Sequence, residues 1–77
     1  MRQPVKILLH TAEDVKKFVS CVSVCGFDVD LVKGKCMVDA KSIMGIFSFD
    51  LSQPIDLIMH SEHTEVFLAS ISTFLVM

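Results

Sequence analysis

The chain lacks tryptophan and tyrosine altogether, and its 77 residues include one arginine, two prolines and three isolated glycines. Each scarcity excludes something. Phosphate-backbone binding needs clustered Lys and Arg, whereas seven basic residues here stand against nine acidic ones and the only arginine is Arg2. Nucleic acid is therefore not an expected partner. Three glycines far apart form no glycine-rich phosphate loop. No apolar run approaches the ~18 residues of a membrane span, so membrane insertion is not expected. The opening Met1-Arg2-Gln3-Pro4 leads into a short stretch, Val5 to Leu9, broken by Lys6. It does not read as a secretory signal. Three cysteines, Cys21, Cys25 and Cys36, make an odd count for a disulfide framework. They read as reduced small hydrophobes of a cytoplasmic protein.

What is present is apolar material: 52% of residues are hydrophobic and 21% charged. That excludes a disordered chain and leads to a single domain over 1–77. Val5 to Leu9 suits a strand. Thr11, with Asp14 three residues later, resembles a capping box. Val15, Phe18, Val19 and Val22 then mark one face of a helix from about Ala12 to Cys25, which Gly26 ends.

Phe27 to Leu31 alternates apolar residues with aspartates, as a half-buried strand does. Lys33-Gly34-Lys35 makes a turn, and Cys36 to Asp39 returns as the second arm of a hairpin. Ser42 is the expected N-cap of a short helix carrying Ile43, Met44, Ile46, Phe47 and Phe49. Ser52-Gln53-Pro54 breaks it. Ile55 to Met59 forms the last strand, and a final helix runs from about Thr64 to Val76. The order β-α-β-β-α-β-α, with one apolar stripe per helix, defines an α+β fold with helices on one face of an antiparallel sheet.

The segment Ala40-Lys41-Ser42-Ile43-Met44-Gly45 resembles the corresponding region of HPr, the histidine-containing phosphocarrier of the bacterial phosphotransferase system. The similarity runs forward through Phe49, Leu51, Ile55 and Glu62 to Ala69, and back through Val38, Lys35, Gly34 and Phe27 to Phe18-Val19. It implies an open-faced sandwich: a four-stranded sheet in the order 1-4-2-3 under three helices. It also implies a phosphocarrier of sugar transport rather than an enzyme. Partners would be proteins of the phosphotransferase system or its regulators.

The family carries phosphate on a histidine at the start of the first helix, in a Gly-Leu-His-Ala-Arg-Pro motif. Here Thr11 stands at the histidine position, Glu13 at the arginine and Asp14 at the proline, after a shortened loop. A threonine hydroxyl does not exchange phosphoryl groups as an imidazole does, and two carboxylates repel one. The resemblance thus implies a degenerate site. A one-residue slip makes His10 the alternative phosphoryl acceptor. A domain that keeps only the fold, as a structural or oligomerisation module, is a further alternative.

Ser42 matches the serine that a dedicated kinase phosphorylates in many family members, and Ile43, Met44 and Phe47 match the side of the helix that docks partners. Read without the resemblance, Ser42 is a plain cap, and the three apolar residues serve as core or contact surface. Cys21 and Cys25 lie one helical turn apart, as His60 and His63 roughly do, yet neither spacing is completed by a second pair. No metal or cofactor is expected.

Overall fold

A computed structural model describes residues 5–76; Met1-Arg2-Gln3-Pro4, the lead-in discussed above, lies outside them. The described elements are β1 (Val5–Ile7), α1 (Ala12–Val24), β2 (Val29–Lys33), β3 (Cys36–Asp39), α2 (Ile43–Phe47), β4 (Ile55–Met59), α3 (Glu65–Ser70), a 3₁₀ turn (Ser72–Phe74) and β5 (Leu75–Val76). Every strand pairing is antiparallel, and the spatial order is β3-β2-β4-β1-β5.

Side chains alternate across this sheet as the pleat requires. Ile7, Val29, Leu31, Ile55 and Leu57 point to one side and are buried. Their neighbours Lys6, Asp30, Val32, Asp56 and Ile58 point to the other. The helices cover only the first side. Val15, Phe18 and Val22 on α1 meet Phe67 on α3, with Ile71 and Phe74 beyond it. Phe18 is fully buried and sits at the centre, its ring 6.5 Å from Phe67 and 6.4 Å from Phe74. Tilted and edge-on ring pairs at this spacing are favourable beyond their burial alone.

The expected sheet of four strands is corrected to five. The order 1-4-2-3 lies within it, read from the other edge, and β5 adds a strand outside β1. The cause lies in the expected helix over Thr64 to Val76, which stops at Ser70. Serine and threonine hydroxyls compete for helical carbonyls, and Ser70 Oγ donates to the Phe67 carbonyl at 2.7 Å. The chain tightens through Ser72–Phe74. Leu75 and Val76 then pair with Ile7 and Lys6, and the Leu8 amide donates to the Phe74 carbonyl at 2.8 Å. An outer edge of β1 that would otherwise present unpaired backbone groups is partly closed.

The second strand starts later than the alternation suggests, at Val29 rather than Phe27. Gly26 ends α1 with φ +86, a conformation that favours glycine. Phe27 is spent on the reversal, its ring packing edge-on against Phe67 at 5.6 Å. The hairpin turn is tighter than a three-residue loop: Lys33 pairs directly with Cys36. Gly34, with φ +61, takes the first central position, as in a type II′ turn.

Replacing Phe18 with alanine is expected to cost about 3–5 kcal/mol, most of the stability of so small a domain. Urea titration followed by circular dichroism checks this; a loss below ~1 kcal/mol contradicts Phe18 as the centre of the core.

Candidate functional site

Two helix starts hold the residues singled out by the sequence. At the first, Thr11 has extended backbone angles (φ −135, ψ 166) and is the N-cap of α1. Its Oγ1 accepts the Asp14 amide at 3.1 Å. In return, Asp14 Oδ2 accepts the His10 amide at 3.0 Å. This is the reciprocal logic of a capping box with aspartate as the acid, reaching one residue further back than usual. His10, the alternative phosphoryl acceptor, is exposed immediately before the cap. Its ring makes no hydrogen bond among the described residues. The first turn carries Glu13 and Asp14, whose charges stabilise the helix dipole and oppose an incoming anion.

At the second, Ser42 (φ −90, ψ 99) caps α2, its Oγ accepting the Gly45 amide at 3.2 Å. Asp39 fixes the approach: its carboxylate accepts the Lys41 amide at 2.8 Å and its carbonyl the Ser42 amide at 2.9 Å. Gly45 brings α2 close against Val38 of β3. A Cβ there would stand 3.0 Å from Ser42 Oγ and 3.3 Å from the Val38 side chain, tighter than ordinary packing allows. The absence of a side chain thus seats both the cap and the helix.

Beneath α2, Ile46 is fully buried. Phe49 and Leu51, beyond its end, pack partly against the core. On the outside, Met44 is 86% exposed, Phe47 44% and Ile43 39%. The chain leaves α2 through an Asp50 loop, where the Ser52 hydroxyl and amide hold the Asp50 carboxyl below the usual carboxylate range.

The remaining candidates do not converge. Cys21 Sγ points to the Ser70 carbonyl at 3.8 Å and Cys25 Sγ to that of Phe27 at 3.2 Å. Cys36 is exposed on the edge strand. Among the described residues, no three His, Cys, Asp or Glu side chains are grouped to hold a metal ion. Among them, too, no helix is long and apolar enough to cross a membrane. One pair escaped the sequence analysis. His60 Nε2 lies 2.8 Å from Asp30 Oδ2, joining β2 to the end of β4. The partners are 30 positions apart, and only the strand register brings them together.

No family model matches the sequence, and neither does any curated protein. Among solved structures, the crystal structure of HPr-C-His from Thermoanaerobacter tengcongensis aligns with a TM-score of 0.73 at 25% identity. The alignment covers 94% of this chain and 89% of that one. The fold is HPr-like, as the Ala40-to-Gly45 segment implied.

Thr11→Ala and Asp14→Ala are each expected to destabilise the domain by about 0.5–2 kcal/mol, as lost N-terminal caps do. Because the two side chains serve one reciprocal cap, the double variant should lose less than the sum of the single losses. Strict additivity in denaturant titrations would argue against a shared cap.

Proposed function

We propose that residues 1–77 form one HPr-like domain that binds proteins of the phosphotransferase system, or its regulators, through the outer side of α2. It does so as a non-enzymatic, cytoplasmic module rather than by carrying phosphate at α1. The contrast between the two helix starts carries this reading. At α1, threonine occupies the position of the family's histidine, and the Asp14 carboxylate already accepts the His10 amide. At α2, the family's residues are retained and Met44 and Phe47 are exposed.

The chemistry of α2 suits a contact. Ile43 and Phe47 offer two apolar anchors, and Met44 an adaptable thioether between them. Such residues side by side on a small surface favour an interface. Ser42, beside this patch, is the proposed target of a serine kinase. A phosphate there would add about −1.5 to −2 charges at the rim of the contact, altering partner affinity without entering the core.

The test is a pull-down from the native host with wild type and Met44→Glu, circular dichroism establishing that both are folded. Phosphotransferase components or their regulators should be retained by wild type and lost by the variant. Equal retention by the folded variant contradicts α2 as the contact.

A further inference from the structure

Methionine can change polarity without a break in the chain: oxidation of its thioether gives a polar sulfoxide, which sulfoxide reductases reverse. Of the five methionines, Met37, Met44 and Met59 lie among the described residues. Their surroundings differ. Met44, the second residue of α2, is 86% exposed beside Ile43 and Phe47 on the outer side of the helix. Met37, on the edge strand β3, is 61% exposed. Met59, the last residue of β4, packs in part against the core. Oxidation follows access to the sulfur, so Met44 is the first target of the three and Met59 the last.

The contacts that seat α2 do not involve the Met44 side chain. Ser42 Oγ caps the helix on the Gly45 amide, Gly45 lies against Val38, and Ile46 is the residue buried beneath. An oxygen added to Met44 therefore meets solvent and leaves these contacts intact.

On the reading of α2 as a contact surface, on which this rests, we propose that Met44 is the oxidation switch of that contact: a hydroperoxide converts its thioether to the sulfoxide, which releases the partner and leaves the domain folded. A sulfur lone pair attacks the terminal peroxide oxygen, forming the S–O bond as the O–O bond breaks. The proton of that oxygen passes to the departing one, which leaves as water or an alcohol. Sulfur loses an electron pair to the peroxide, which is reduced. The product places a strong S–O dipole within the apolar patch. A partner surface shaped for Ile43, Met44 and Phe47 would have to bury that oxygen without a hydrogen bond, which is costly.

The test treats the full chain with hydrogen peroxide at increasing dose and then with a dithiol. The dithiol reverses disulfides and sulfenic acids at Cys21, Cys25 and Cys36 and leaves the sulfoxide in place. Peptide mapping by mass spectrometry should find oxygen on Met44 first, on Met37 next and on Met59 last. Chromatography then separates protein with a single sulfoxide at Met44 from protein with a single sulfoxide at Met37. Both should keep the circular dichroism of the untreated domain.

In the native-host pull-down, the Met37 species should retain the phosphotransferase components or regulators that untreated protein captures. The Met44 species should lose them, and methionine sulfoxide reductases should restore them. The switch is overturned if Met37 or Met59 is oxidised before Met44, or if the Met44 species unfolds. It is equally overturned if that species captures as untreated protein does, or if the Met37 species loses partners to the same extent. Met44→Glu separates the two claims. If the folded variant still captures the partners, α2 is not the contact and the switch falls with it. If the variant loses them while the Met44 sulfoxide keeps them, the contact stands and the switch alone falls.

Discussion

Only one face of the sheet is covered by helices, and most other features follow from that constraint. A domain of this length buries a smaller share of its surface than a large one, yet 52% of its residues are hydrophobic. Fourteen described residues form the buried core around Phe18. Apolar side chains are left over. They are concentrated in part rather than scattered: Ile43, Met44 and Phe47 lie together on α2, while Met37, Val32, Ile58 and Val76 share the open face of the sheet.

The two helix starts respond differently to the same physics. Each has backbone amides without helical partners, and each satisfies one with a hydroxyl, from Thr11 or Ser42. At α1 an acid, Asp14, also folds back onto the amide of His10, so the charge that the helix dipole favours is supplied from within. At α2 no acid is present in the first turn, and Gly45 lies close to both the Ser42 hydroxyl and the Val38 side chain. The first start is built for stability. The second is fixed in place with apolar side chains turned outward.

What the sequence displayed was whatever depends on near neighbours. The α1 stripe, both caps, the Cys36–Asp39 and Ile55–Met59 strands and the short helix after Ser42 are local patterns, and the structure has them at those positions. What it concealed depends on distant partners. β5 exists because β1 has a free edge, and hydrophobic period alone reads Phe67, Ile71 and Phe74 as one helix. Phe27 fits a strand until Phe67, 40 positions later, supplies a ring to pack against. His60 and Asp30 meet only through the register. Exposure of Met44 and Phe47 was similarly beyond local pattern, since an apolar residue on a short helix serves core and surface equally well.

The central claim is that the start of α1 is closed to phosphoryl transfer, and one measurement addresses it directly. The intact protein is incubated with phosphoenolpyruvate and the upstream enzyme of the phosphotransferase system, with an active HPr as control, and phosphate is located by mass spectrometry under conditions that preserve phosphohistidine. The account predicts a labelled control and no phosphate on His10 or Thr11. Acid-labile phosphate on His10, at a stoichiometry approaching that of the control, would contradict it.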